Sequence, residues 1–129
     1  MILSVSQVQR VPLSVHPSCI HGKGLFSQKN VPSGTLVYES DEYTITPFPI
    51  YGSLQHTPTE HLLEDFLCWE NHSCKPNTCL RFDGSTVQLI ATAFIRAAEE
   101  LVCDYRTTED SIPTPFRCNC GHCDGIIIR

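Results

Sequence analysis

The stretch ENHSCKPNTC, residues 70–79, concentrates residue types that could support chemistry. Asn71, His72 and Cys74 stand almost side by side in it. A Cys close to a His could be a nucleophile with its base, part of a metal site, or part of a buried turn. Asn71-His72-Ser73 is also a glycosylation sequon, which matters only in a secreted protein. The stretch alone leaves these interpretations open.

The C-terminal tail carries a second group of reactive side chains. Cys118, Cys120 and Cys123 place three thiols within six residues, which fits a tetrahedral zinc site better than disulfides. His122 is adjacent to Cys123 and is poorly placed to complete the same tetrahedron. A cysteine from elsewhere in the chain is therefore favoured as fourth ligand. The spacing does not name it, and Cys74 is a candidate because it lies in the other unusual stretch.

Length and composition predict one domain with a modest core. The chain has 129 residues, of which 41% are hydrophobic and 18% are charged. It contains no apolar run near the roughly 20 residues of a membrane span. The N-terminal residues lack the basic and apolar regions of a secretory signal. We therefore expect an intracellular protein, cytoplasmic or nuclear, in a reducing compartment where clustered cysteines bind metal.

The charge is unevenly distributed along the chain. The formal net charge is −5; residues 1–38 hold three cations and no acid, and residues 39–70 hold seven acids and no Lys or Arg. An ordinary solvated acidic face is one interpretation, and a surface that attracts a basic peptide is the other. We expect no direct nucleic-acid binding and no membrane partner from this balance. The oligomeric state is not predicted.

Most sequence elements indicate short strands that would position these residues. QVQRVPLSV, GLFS and TLVYES have strand patterns, with the HGKG loop and the VPSG turn between them. Asp83-Gly84 predicts the turn of a hairpin. By contrast, Thr57 as N-cap, Pro58 at N1 and Glu60 at N3 predict the start of a helix. The expected fold class is therefore β-rich α+β.

Three segments, HGKGLFSQKNVPSGTLVYE, NHSCKPN and EELVCDY, resemble in type and order the motifs of the SET-domain protein-lysine methyltransferases. The tail FRCNCGHCDG resembles the post-SET zinc tail of that family. The resemblance covers nearly the whole chain, from about Val8 to Ile126, and is nearest to small stand-alone members. It implies a β-clip of several small sheets with a knot-like C-terminal segment. It also implies a SET domain at 1–112 and a zinc-binding tail at 113–129.

The resemblance assigns roles to individual residues. It implies that Tyr105 is the catalytic tyrosine and that one structural zinc ion is bound by Cys74, Cys118, Cys120 and Cys123. The residues that it implies for binding S-adenosylmethionine are Gly22, Lys23, Gly24, Leu25, Asn71, His72, Tyr105 and Phe116.

The implied activity is S-adenosylmethionine-dependent N-methylation of a lysine in a basic protein or peptide, histone or non-histone. Cys103 stands where many members have Phe or Tyr, so a roomier channel and di- or trimethylation are expected. Further departures from the family pattern are Cys68 and Trp69, Ala98 in place of a common Gly, and a shorter tail spacing. Tyr43 or Tyr51 could supply a second tyrosine.

Three alternatives remain open from the sequence. The altered residues permit a non-catalytic, zinc-stabilised module that binds a peptide or partner. The short segment from Glu42 to His61 permits a small-molecule substrate instead of a protein. A nucleophilic Cys74 with His72 as base is disfavoured, because neighbouring residues rarely present both groups to one substrate and no third orienting residue is evident.

Overall fold

A computed structural model describes residues 6–129. Residues 1–5, with which the predicted SET domain begins, lie outside the described part. The described chain forms thirteen short strands: β1 (Gln7–Gln9), β2 (Leu13–Pro17), β3 (Lys23–Ser27), β4 (Leu36–Ser40), β5 (Thr44–Thr46), β6 (Leu54–Thr57), β7 (Glu60–Leu63), β8 (Asn71–His72), β9 (Thr78–Asp83), β10 (Thr86–Ala91), β11 (Glu100–Cys103), β12 (Phe116–Arg117) and β13 (Ile127–Ile128). Two 3-10 turns, Leu67–Trp69 and Tyr105–Thr107, complete the regular structure.

The strands form four small sheets, as the sequence predicted for this fold class. Their orders are β1-β4-β10-β9, β2-β3-β11-β8, β5-β7-β6 and β12-β13. The core includes apolar side chains of β4 and β10 from the first sheet and of β3 and β11 from the second, among them Val37, Leu89, Leu25 and Leu101. None of the helical segments in residues 6–129 is long and apolar enough to cross a membrane.

The second sheet holds the motif residues in place. β8 pairs in parallel with β11, so Asn71 lies opposite Val102 and His72 lies opposite Cys103. The loop after β8 is hydrogen-bonded to the same strand. The Ser73 amide donates to the carbonyl oxygen of Cys103, and the Asn77 amide donates to that of Val102. The segment after β8 thus wraps around β11.

The predicted hairpin is present, with its loop one residue later than expected. Asp83 pairs with Thr86, so Gly84 and Ser85 form the two-residue loop. Gly84 has φ +59°, a backbone conformation that glycine adopts without the steric cost that a Cβ would add.

The predicted helix from Thr57 is wrong. Thr57 ends β6, and Glu60–Leu63 forms β7, which lies between β5 and β6 with hydrogen-bonded partners on both sides. The local capping pattern is used within the connecting turn, where the Thr57 hydroxyl accepts the Thr59 amide at 3.3 Å. Pairing with two neighbouring strands outweighs the weak local preference for a helix.

Candidate active site and metal centre

A cavity of about 470 Å³ brings together residues from distant parts of the chain. Its wall includes the loop before β3, the turn before β6, both 3-10 turns, the β8 strand and the start of the tail. Among the predicted cofactor residues, those in the wall are Lys23, Asn71, His72, Tyr105 and Phe116. Leu25 is fully buried in the core and lies outside the cavity lining.

Asn71 fastens the loop before β3 to β11. Its side-chain amide donates to the carbonyl oxygens of His21 and Lys23 at 3.0 and 3.1 Å, and to Glu100 Oε2 at 2.8 Å. The Glu100 carboxylate lies against Gly24, where an added Cβ would collide with it. These bonds occupy the side-chain NH₂ group of Asn71, which thereby fixes the loop before β3 against β11.

His72 is a neutral ring between Tyr105 and the cysteine cluster. It is 2% exposed, and its Nδ1 accepts the Tyr105 amide at 3.0 Å, so its proton resides on Nε2. Burial also lowers the pKa of His72. The 3.6 Å approach of Nδ1 to Asp104 Oδ1 is therefore not an ion pair. Nε2 lies 3.5 Å from the Sγ atom of Cys74 and donates toward it.

Tyr105 presents its hydroxyl oxygen as an acceptor. The hydroxyl donates its hydrogen to the Glu70 carbonyl oxygen at 2.6 Å, which leaves the lone pairs of the oxygen available. Burial raises the pKa of Tyr105, so the phenol stays neutral. The ring also lies in a cluster with His72 and Phe116, at centroid distances of 5.3 and 6.2 Å.

The four cysteines predicted for zinc lie together. The sulfur atoms of Cys74, Cys118, Cys120 and Cys123 are all within 4.8 Å of one another. The Cys74–Cys118 and Cys120–Cys123 sulfur distances are both 3.8 Å. A tetrahedral centre with Zn–S bonds of about 2.3 Å separates its sulfur atoms by roughly 3.8 Å. The cluster therefore fits one zinc ion that joins the tail to the loop after β8.

The structure distinguishes the two candidate tyrosines. Tyr51 lines the cavity and is 74% exposed, and its hydroxyl lies 3.1 Å from His21 Nε2. The Tyr43 hydroxyl donates to the carbonyl oxygen of Ser85, and Tyr43 is not among the lining residues. Tyr51 is therefore the second tyrosine at the cavity.

The sequence analysis assigned no role to two carboxyl groups in the cavity wall. Glu70 is 4% exposed and Glu109 is half-buried, and burial raises the pKa of both, that of Glu70 to about 7. Glu70 opens the motif stretch directly before Asn71. No local pattern in the sequence indicates that Glu70 is buried.

Comparisons with known proteins agree with this geometry. Residues 50–106 match the SET domain family model. Methyltransferase flvH of Aspergillus flavus is 33% identical over 75% of this chain and 56% of its own length. Human histone-lysine N-methyltransferase 2B is 23% identical over 91% of this chain and 5% of its own length.

Solved structures show the same fold. Crystal structures of KRYPTONITE superpose with TM-scores of 0.69 and 0.68 at 23% and 25% identity, over 91% of this chain and 29% of that one. The first is a complex with mCHH DNA, an H3(1-15) peptide and SAH, and the second a complex with mCHG DNA and SAH. The chain spans little more than half the length of flvH and much less of the others. The matched segment and the shared fold show that the chain carries a SET domain, and the curated relatives to which it is similar are methyltransferases.

Proposed function

We propose that the chain is an S-adenosylmethionine-dependent protein-lysine N-methyltransferase. The observation that carries the proposal is the single cavity in which Lys23, Asn71, His72 and Phe116, assigned to the cofactor, meet Tyr105. The SAH and H3 peptide in the KRYPTONITE complexes support the same cofactor and a basic peptide as substrate. When bound, S-adenosylmethionine supplies the methyl group.

The protein's own contribution is to align and desolvate the amine. A lysine amine, with a pKa near 10.4 in water, must lose a proton before it attacks. The Tyr105 oxygen, whose hydrogen is held by the Glu70 carbonyl, offers lone pairs to the amine or to polarised C–H groups. Apolar wall residues such as Leu67 and Leu80 leave an ammonium group poorly solvated unless a carboxylate in the wall pairs with it.

The side chain at position 103 supports addition of more than one methyl group. Cys103 is 4% exposed and lines the cavity beside Tyr105. A thiol occupies much less volume than the aromatic ring found there in many family members. We therefore propose that the cavity accommodates an already methylated amine and that di- or trimethylation is the outcome.

Zinc has a structural role in this proposal. Its four predicted ligands join the loop after β8 to the tail that contributes Phe116 and Asn119 to the cavity wall. The ion would thereby hold one side of the cavity closed. Zinc-thiolate ligation is consistent with the reducing intracellular location that we propose.

Two measurements on the zinc-loaded chain test the function. Calorimetric titration with S-adenosylmethionine should show binding. Intact-mass analysis of an H3(1-15) peptide, incubated with the chain and S-adenosylmethionine, should show added methyl groups. Binding without transfer to any basic peptide would instead support the non-catalytic module. Absence of cofactor binding would refute the proposal.

Tyr105→Phe tests the assigned role of the hydroxyl. Because the ring remains but the oxygen is lost, we expect transfer to fall by about 100-fold or more while cofactor affinity changes only a few-fold. Tyr43→Phe is the matched control, because its hydroxyl bonds to Ser85 away from the cavity. Turnover by Tyr105→Phe at the level of the control would remove Tyr105 from the mechanism.

A further inference from the structure

The Glu70 carboxyl group is placed so that either protonation state has hydrogen-bond partners. Thr78 Oγ1 lies 2.6 Å from Glu70 Oε2 and 2.9 Å from the carbonyl oxygen of Val102, but a hydroxyl has one hydrogen. When Glu70 is protonated on Oε2, it donates to Thr78, which donates to Val102. When Glu70 is ionised, Thr78 donates to Oε2 instead, and Val102 still accepts the Asn77 amide at 3.2 Å.

The second oxygen of the same carboxyl group has no strong partner. Among residues 6–129, Glu70 Oε1 is buried without a strong donor, and the Cys103 thiol is the weak donor that acts on the carboxyl group. An unsatisfied buried oxygen costs on the order of 1–3 kcal/mol, and more when it is charged. The neighbouring polar side chain on β11 is Cys103, whose thiol is a weak donor and lies in the cavity wall. Glu70 and Cys103 therefore stand together in the cavity wall.

The rest of the cavity wall suits an alkyl chain that ends in a cation. Leu54, Leu67 and Leu80 provide apolar surface, and Glu109 adds a second, half-buried carboxyl group. The Glu109 Oε2 atom already accepts the Gln55 amide at 2.9 Å, which fixes its position. Glu70 and Glu109 both act electrostatically on Tyr105, so all three groups lie in one region.

We propose that Glu70 binds the substrate amine as its ammonium ion and accepts the proton that the amine must lose before methylation. This inference rests on the proposed function, because it names the group that prepares the methyl acceptor. In the step, an N–H bond breaks, its electron pair stays on nitrogen, and the proton forms an O–H bond on the Glu70 carboxylate. The neutral amine then takes the methyl group and becomes a cation again, and the proton on Glu70 passes to solvent before the next cycle.

The groups around Glu70 define the pH range in which it works. Thr78 faces it from β9, Cys103 and Glu100 act on it from β11, and Tyr105 contributes its hydroxyl to the Glu70 backbone. These neighbours are neutral or acidic, and burial is the main cause that raises its pKa to about 7. The carboxyl is thus mostly ionised at pH 8 and mostly protonated at pH 6.

Binding of n-butylammonium to the zinc-loaded chain without cofactor tests the proposal apart from methyl transfer. 1-Pentanol serves as the uncharged probe of similar length, at matched ionic strength. Titration calorimetry at pH 8 should show at least tenfold weaker n-butylammonium binding to Glu70→Gln, with 1-pentanol binding unchanged. Glu109→Gln should weaken binding of n-butylammonium several-fold. Asp110→Asn, an exposed carboxylate next to Glu109, should behave as wild type.

The proton count provides a signature that a merely structural Glu70 would not give. Since the carboxyl group is mostly protonated at pH 6, binding of the cation there should release nearly one proton. The number of protons released is obtained from titration calorimetry in buffers of different ionisation enthalpy. At pH 8 the release should be close to zero, and Glu70→Gln should release none at either pH. Folding of each variant is checked by its thermal transition.

The outcomes separate this inference from the proposed function. Equal n-butylammonium affinity in wild type and Glu70→Gln, no proton release at pH 6, or no n-butylammonium binding to the wild type would overturn the inference. Any of these results alongside methyl transfer to a peptide would leave the methyltransferase function standing. Glu70-dependent binding without transfer to any peptide would refute the proposed function and support the amine site.

Discussion

Replacing Glu70 by Gln should stabilise the folded chain at pH 8. The carboxyl group is buried, and one of its oxygens has only the weakly donating Cys103 thiol beside it, so its ionised form is costly in the native state. Gln has nearly the same shape as the protonated acid, and its amide can donate to Thr78 as that acid does. The variant therefore keeps the bond to Thr78 and never carries the buried charge, while its second amide hydrogen offsets part of the gain.

The magnitude follows from the pKa of Glu70, which burial raises from 4.5 to about 7. A carboxyl group with a raised pKa in the folded state takes up a proton on folding between these two values, so stability falls as pH rises through this window. The difference between these two pKa values corresponds to about 3 kcal/mol at pH 8, since one pKa unit is about 1.4 kcal/mol. For a chain of this length, that is roughly a 10 °C rise in melting temperature for the variant.

The assay is chemical denaturation of zinc-loaded wild type and variant at several pH values from 5.5 to 8.5. The difference between the two chains isolates Glu70, because the titration of the cysteine cluster and of His72 is common to both. The stabilising effect of Gln should be largest at pH 8 and above and should shrink steadily toward pH 5.5. Asp110→Asn should show no such trend, since Asp110 is exposed.

Two results would refute this account of Glu70. A variant that is less stable than wild type at pH 8 would mean that the carboxylate has a favourable partner in the folded state. A stability difference that does not change between pH 5.5 and 8.5 would mean that the carboxyl group does not titrate in this window.

Two further changes have defined expectations. Ala98 has φ +69°, which is unfavourable for a residue with a Cβ. Ala98→Gly should therefore raise the free energy of unfolding by about 0.5–1 kcal/mol in chemical denaturation. A loss of stability would contradict the backbone strain at this position. Metal analysis should give one zinc per chain for wild type and a large loss for Cys74→Ser, with destabilisation of the tail. Cys79→Ser, at an exposed cysteine of β9, should keep its zinc, and unchanged zinc in Cys74→Ser would mean that another group is the fourth ligand.

Motifs that depend on residue type and order named several residues that the structure brings together. Asn71, His72, Tyr105 and Phe116 were named from motifs and meet at one cavity, and the four cysteines named for zinc form one cluster. Ala98 stands where a glycine is common in the family that the sequence resembles. Its φ is positive, and glycine adopts that conformation more easily than a residue with a Cβ. Such positions are constrained by local chemistry, so they can be identified without a structure.

Features that depend on tertiary pairing were not predictable in the same way. The capping pattern at Thr57 was present, but β7 is held between two other strands, and no local signal reports that. The burial of Glu70 was not predicted for a related reason. It precedes β8, which is only two residues long and shows no periodicity from which its burial could be inferred.

The motif stretch, to which the sequence analysis assigned both cofactor and metal residues, links the cavity and the cysteine cluster in space. Asn71 ties the loop before β3 to β11, and Cys74 reaches the tail, but His72 contacts both sides. Its Nδ1 atom accepts the amide of Tyr105, and its Nε2 atom donates toward Cys74. A ring with both nitrogens engaged has a fixed tautomer and orientation, and a thiolate at Cys74 would strengthen the second bond. Because the same ring packs against Tyr105 and Phe116, zinc ligation and the position of the Tyr105 hydroxyl are parts of one arrangement.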